Sequence, residues 1–346
     1  MIFCASGLMD LMSTALRFAK ITPATSSGWL LKRSLSNMMR KLGLLIILLA
    51  LIGGAGFWFL TAPSHVDPAR LAAVAPGDPQ RGMSVFWQGG CAACHAAPGA
   101  KGDARLVLAG GLNLVTPFGT FVTPNISPSK QGIGDWSFDD LANAMLEGVS
   151  PGGRHYYPAF PYTSYARMQV QDIADLHAFL KTLPPSDNVA GPHKLGFPFN
   201  IRRGLGLWKR LYLSPEPVLT IADASDAIKR GQYLVEGPGH CGECHTPRNA
   251  IGGMDKTQWL AGATAAEGKG VVPNITGGEG GIDSWSQKDI AYALESGFTP
   301  EFDSLGSSMA DVVLNTAHLE SADRDAIAAY LKAVPAHPNG YPAPAK

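Results

Sequence analysis

Cys91-Ala92-Ala93-Cys94-His95 and Cys241-Gly242-Glu243-Cys244-His245 are two copies of one pattern, Cys-x-x-Cys-His, 150 residues apart. Two intervening residues bring both sulfurs to one edge of a flat macrocycle, and the residue that follows points at its centre. This is the attachment signature of c-type haem: the thiols close on the porphyrin vinyl groups and the histidine binds iron from one face. The chain is therefore expected to hold two covalently bound haem c groups through Cys91, Cys94, Cys241 and Cys244, with His95 and His245 as axial ligands. A four-thiolate zinc site would usually keep its cysteine pairs tens of residues apart, and it leaves each histidine unexplained. A dithiol redox site calls for one pair near a βαβ pattern, and no such pattern is evident.

The motifs lie inside a longer duplication. Arg81-Gly82 matches Arg230-Gly231, Pro124-Asn125-Ile126 matches Pro273-Asn274-Ile275, and Trp136-Ser137 matches Trp285-Ser286, each 149 residues on. Asp172, Leu180-Lys181 and Pro184 match Asp323, Leu331-Lys332 and Pro335 at 151. Self-similarity over a hundred residues means two copies of one domain.

Each copy reads as a small helical unit. Asp78 with Pro79, and Ser225, are N-cap signals before the helix that leads into each motif. FDDLANAMLEG and QKDIAYALESG each end on glycine. QDIADLHAFLKTL and DRDAIAAYLKAV carry apolar residues at helical spacing with proline beyond. The expected fold is all-α: two tandem domains, 76–186 and 220–337, after an N-terminal transmembrane helix. Between them 187–219, with HKLGFPFNIRRGLGLWKRLYL, is too apolar and aromatic for a free linker. It is expected to be an ordered interdomain strap or a docking face.

Leu42 to Leu60 contains no charge and is long enough to span most of a bilayer core of roughly 30 Å. Arg17, Lys20, Lys32, Arg33, Arg40 and Lys41 precede it against one acid, Asp10. The positive-inside rule leaves 1–41 as a cytoplasmic extension, 42–60 as the anchor, 61–75 as a linker, and the rest, through the tail 338–346, outside. A cleaved signal peptide is the competing reading, with Thr61-Ala-Pro-Ser a poor match to a cleavage site. The first 37 residues read as an upstream extension, Met38 or Met39 being a more ordinary start. Zero net charge and 16% charged residues leave no footprint for nucleic acid. Four of five cysteines serve the motifs and Cys4 has no partner, which disfavours a disulfide framework.

The order helix, haem motif, loop, helix, loop, helix resembles a class I cytochrome c domain. In that class a glycine of the first helix packs against an aromatic of the last, a pairing that Gly82 with Phe179 and Gly231 with Tyr330 are placed to make. Electron-transfer haem generally takes a second axial ligand, and methionine opposite histidine raises its potential. Met309, in the loop before the final helix, is the expected ligand in the second copy. In the first copy Met168 is the substitute where relatives carry methionine and this chain has Phe160; His155 would give bis-histidine ligation, and Met145 lies within a helix. Asn125, Asn274, Trp136 and Trp285 are candidates either for propionate hydrogen bonds or for turns and core packing, and Arg248 for a propionate ion pair.

PFGTFVTPNISP, GIGDWSFDDLANAMLEGVS, YYPAFPYTSYARM, CGECHTPRNAIGG and SSMADVVLNTAHL resemble cytochrome c subunits of bacterial membrane-bound dehydrogenases, over about residues 76 to 337. Those subunits serve alcohol, gluconate, sorbitol, fructose and aldehyde dehydrogenases, several with three haems where this chain has two motifs. The resemblance implies a non-catalytic relay subunit on the bacterial inner membrane with its haem domains in the periplasm. It would take electrons from a periplasmic dehydrogenase and pass them to quinone or another cytochrome in the respiratory chain. The alternatives are a di-haem cytochrome c peroxidase, whose motif count and separation are similar, and a free-standing anchored carrier.

Overall fold

The structure, a computed structural model, describes residues 27–268 and 270–341. Expectations for Cys4, Asp10, Arg17, Lys20 and the end of the tail fall outside those residues. Helix α1 runs Ser27–Leu60, starting well before the apolar stretch. Its straight-chain and leucine-rich sequence has high helix propensity, and nothing between Ser34 and Leu42 breaks it. Leu42, Leu45, Leu49, Leu51 and Trp58 are all exposed, and Lys32–Leu60 is long and apolar enough to cross a membrane. The described residues up to Phe59 form one unit and those from Leu60 onward form another.

In the second unit the first set of elements is α2 (Pro68–Ala72), α3 (Pro79–Gln88), α4 (Cys91–His95), strands β1 (Asn113–Thr116) and β2 (Gly119–Val122), α5 (Phe138–Glu147), α6 (Tyr162–Tyr165) and α7 (Val170–Leu180). Then come β3 (Lys194–Leu195) and α8 (Leu205–Tyr212). The last set is α9 (Asp226–Glu236), α10 (Gly242–His245), β4 (Ala263–Thr264), β5 (Val271–Val272), α11 (Gln287–Ser296), α12 (Ser308–Thr316) and α13 (Ser321–Ala333). Helices dominate, but the purely helical expectation needs a qualification. β1, β2 and β3 form an antiparallel sheet with Thr116 opposite Gly119, and β4 pairs with β5. Strands of two to four residues are too short to print a period of two on the sequence.

The duplication extends to individual hydrogen bonds. Gly110 N donates to His95 O and Gly262 N to His245 O (2.7 and 2.8 Å); Ile126 N donates to Leu108 O and Ile275 N to Leu260 O (both 3.0 Å). Ser137 with Asp140 and Ser286 with Asp289 form capping boxes that start α5 and α11. Gly148 and Gly297 end them with φ of 58° and 79°, a conformation glycine adopts without the Cβ penalty.

Two apolar cores result, one around Phe86, Leu141, Ile173 and Leu176, the other around Leu234, Trp259, Ile327 and Tyr330. In each, the first helix crosses the last at a glycine. A Cβ at Gly82 would lie 2.0 Å from Asp175 O and 2.8 Å from Phe179 Cβ; at Gly231 it would lie 1.9 Å from Ala326 O and 2.8 Å from Tyr330 Cβ. The repeated arginine beside each glycine pairs with the facing helix: Arg81 with Asp175 at 2.7 Å, Arg230 with Asp323 at 2.8 Å.

Asp175 is 1% exposed and also accepts hydrogen bonds from the Asp78 amide and Gln171. Burial alone would raise its pKa, but these donors and Arg81 outweigh it and hold the carboxyl below its ordinary value. In acid the unfolded chain therefore binds the proton more tightly. The stabilisation from Asp175 is present above about pH 4 and is lost as pH falls through the folded value. We expect Asp175→Asn to flatten the loss of stability between about pH 4 and 2 relative to wild type, measured by denaturant unfolding at each pH.

Contacts between the two sets are specific. Trp87 stacks on His318 with centroids 3.9 Å apart and planes 12° from parallel. Arg105 pairs with Asp311 at 2.9 Å, Tyr233 donates to Asp172, and Thr163 and Ser164 both donate to Glu243 (2.7 and 2.8 Å). Segment 187–219 is ordered against both. Arg202 donates to His155 O at 3.0 Å and lies over the Tyr157 ring, while Lys209 Nζ donates to Gly148 O at 2.7 Å. On the other side Trp208 Nε1 donates to Ile251 O at 2.8 Å and Tyr212 accepts from Asn249 at 2.8 Å. Burial pulls the Lys209 ammonium down to about 8.

Candidate haem sites

α3 ends at Gly89, and Gly90 with φ 58° turns the chain so that Cys91–His95 is a single helical turn. Residues three and four apart share a helix face, so Cys94 and His95 lie beside Cys91. The second motif is built alike. There Gly242 is obligatory, because a Cβ would lie 2.1 Å from the ring of Trp259, which is fully buried.

The histidines carry the most informative geometry. His95 Nδ1 lies 2.9 Å from Pro124 O and His245 Nδ1 lies 2.8 Å from Pro273 O. A carbonyl only accepts, so each ring donates from Nδ1 and keeps the lone pair of Nε2 free. That tautomer, fixed by a backbone acceptor, is the arrangement of a metal-ligating histidine. Burial pulls both imidazoles below their ordinary pKa against the opposing effect of the carbonyls, which favours the neutral form, the one that ligates.

Burial also pushes the Cys91 and Cys241 thiols up to about 12. Cys94 is raised by burial and, to a lesser extent, by the Cys244 thiol. A dithiol redox centre lowers its thiol pKa, so this environment speaks against one. Among the described residues, no group of three or more His, Cys, Asp and Glu side chains is placed to hold a metal ion. Paired thiols on a turn and a neutral histidine with a free Nε2 fit covalent haem in both copies.

The candidate second ligands differ in setting. Met168 is 2% exposed and belongs to the first core, against which Cys91, Phe160 and Trp87 pack. His155 is buried, but its Nε2 is hydrogen-bonded to Thr61 O at 2.9 Å. Met145 is a core residue within α5. Met309 is half-buried in the first turn of α12, following Ser307 at φ 53°, and lies outside the second core.

Three sequence candidates take structural parts. Asn125 accepts from Ser127 N and donates to Ser186 O and Asn188 O; Asn274 accepts from Thr276 N and donates to His337 O. Both are turn formers. Arg248 pairs with Glu243 and the Gly252 carbonyl. Trp136 and Trp285 are half-buried against the two cores. The residues the sequence reading passed over are the prolines before those asparagines. Their carbonyls orient the histidines, and the repeated Pro-Asn-Ile was the available signal.

A cytochrome c family profile matches residues 79–184. A di-haem c-type cytochrome of Cereibacter sphaeroides is 56% identical over 295 residues, 85% of this chain and 97% of that protein. The fructose dehydrogenase cytochrome subunit of Gluconobacter japonicus is 36% identical over 78% of this chain and 55% of its own length. The cytochrome c subunit of the quinone alcohol dehydrogenase of Gluconobacter oxydans is 34% identical over 75% of this chain and 55% of its own. The chain thus spans about half the length of these dehydrogenase subunits. With both motifs folded for attachment, the chain belongs to the di-haem c-type cytochromes akin to dehydrogenase cytochrome c subunits, electron-transfer proteins, and carries two covalently bound haem c groups.

Proposed function

We propose that this cytochrome is anchored in the bacterial inner membrane by α1 and relays electrons from a periplasmic dehydrogenase to quinone or another respiratory acceptor. The proposed layout is an anchor and two tandem class I domains, 76–186 and 220–337, joined by the strap 187–219. Cys91, Cys94, Cys241 and Cys244 tether the haems, His95 and His245 are proximal ligands, and Met168 and Met309 are the distal ones. The observation that carries the reading is the matched histidine-to-proline carbonyl bond in both copies, which prepares two equivalent iron ligands.

Bound haem supplies a one-electron iron couple whose potential follows from ligand and burial. The protein's own work is positional. Pro124 and Pro273 hold the imidazoles, and the stacked Trp87 and His318 and the Glu243 hydrogen bonds clamp the two halves. Met168 in the first core favours a relay over a di-haem peroxidase, which needs an open or displaceable position. The names of the relatives support a dehydrogenase partner over a free-standing carrier.

Purification from native membranes tests the proposal. A dehydrogenase subunit should co-elute, and its substrate should reduce both haems. Recovery alone, or rapid peroxide turnover with high-spin iron, would overturn it. Deleting 27–60 behind a cleavable export signal should move the matured cytochrome from the membrane to the soluble periplasmic fraction.

A further inference from the structure

We propose that segment 197–211 is a second membrane contact, an amphipathic strap seated in the anionic headgroup boundary of the bilayer that α1 crosses; this rests on the anchor reading above. Phe197, Ile201, Leu207 and Leu211 are 80%, 50%, 40% and 69% exposed, a density of bare apolar side chains unusual for a water-facing connector. In α8 the inward residues are Gly206, where a Cβ would lie 2.6 Å from Thr61 Cα, and Lys209, which is 6% exposed. That leaves Leu207, Arg210 and Leu211, three and four apart, on the outward face.

The position of this face identifies its occupant. Arg210 Nε donates to Leu60 O at 2.7 Å and Arg203 Nε to Thr61 Oγ1 at 2.8 Å. Leu60 ends the apolar stretch, so α8 is one hydrogen bond from the point where the chain leaves the hydrocarbon. A helix held at that level lays its apolar face about 5–10 Å into the headgroup and acyl boundary. Charge agrees. Between Asp187 and Glu216, besides the buried Lys209, there are four basic side chains, Lys194, Arg202, Arg203 and Arg210, and no acidic one. Basic segments beside a span are attracted to anionic lipid, and an outward arginine reaches the headgroups while its stem stays apolar. The exposed Phe302 makes the contrast, for Glu301 and Asp303 flank it.

The test uses the full-length holoprotein in nanodiscs of anionic phospholipid. Single nitroxide labels are placed by Phe197→Cys, Leu211→Cys, Phe302→Cys and Leu51→Cys in a Cys4→Ser background. Collision with dissolved oxygen is compared with collision with a water-soluble nickel chelate. The oxygen-to-nickel ratio at 197 and 211 should be several-fold higher than at 302 and approach that at 51. Aqueous values at 197 and 211 with a lipid value at 51 would overturn the strap inference alone. An aqueous value at 51 would overturn the anchor reading and the inference with it. Shielding of 197 and 211 from both reagents would also overturn it, by identifying a protein surface, a dehydrogenase or a second copy, as the occupant.

Discussion

Gly231→Ala is expected to cost about 3 kcal/mol or more and to cut the yield of matured protein sharply, with Gly82→Ala doing the same in the first copy. The added carbon would sit 1.9 Å from Ala326 O and 2.0 Å from Asp175 O respectively. Those are backbone atoms of α13 and α7, so no side-chain rotation relieves the clash. The helices must move apart, and the aromatic at each crossing moves with them. Overpacking in a core typically costs about 1–3 kcal/mol, and a backbone-to-backbone collision belongs at or beyond its upper end. Against a total stability of about 5–15 kcal/mol that is a large share. Denaturant unfolding of the ferric holoprotein, with haem content per polypeptide, measures it. A change below about 0.5 kcal/mol, the range of an ordinary surface substitution, would mean that the crossings are looser than described.

Met168→Leu is expected to lower the potential of one haem by on the order of 0.1 V, within the roughly 0.8 V that axial ligands command. It should remove about half of the weak far-red absorption of methionine-ligated ferric haem. Leucine keeps the buried volume, so the packing cost stays below about 1.5 kcal/mol and the spectral change reports ligation. Met309→Leu should remove the other share. His155→Ala separates the alternatives: with Met168 as the ligand, its loss should leave both potentials unchanged while loosening the contact at Thr61. Redox titration followed in the visible and far red reads all three variants. A fall in potential with His155→Ala and none with Met168→Leu would reassign the first ligand.

Much of this was legible locally. Cys-x-x-Cys-His is a contact between neighbours in sequence, and the capping serines and terminal glycines of α5 and α11 act within one turn. The paired glycines were legible because the duplication repeated them beside an arginine. What stayed hidden depends on distant partners. Asn125 and Asn274 read equally as propionate donors or as turn formers, and the choice depends on carbonyls some sixty residues away that accept from their amides. Arg248 is only five residues from Glu243, yet nothing local signals that Thr163 and Ser164 also hold that carboxylate. The small sheets escaped because their strands are short, and one of them is completed by the strap. The extension of α1 ahead of the apolar stretch escaped because hydropathy marks where a helix is apolar, not how far it runs.

The most direct measurement is the alkaline pyridine haemochrome spectrum of protein matured in an export-competent host, with intact mass on the same sample. Two equivalents of thioether-bound haem per polypeptide are predicted, falling to one when Cys91 and Cys94, or Cys241 and Cys244, are replaced by serine. Fewer than two equivalents in the fully matured wild type, or haem that extracts into acid acetone, would contradict the account.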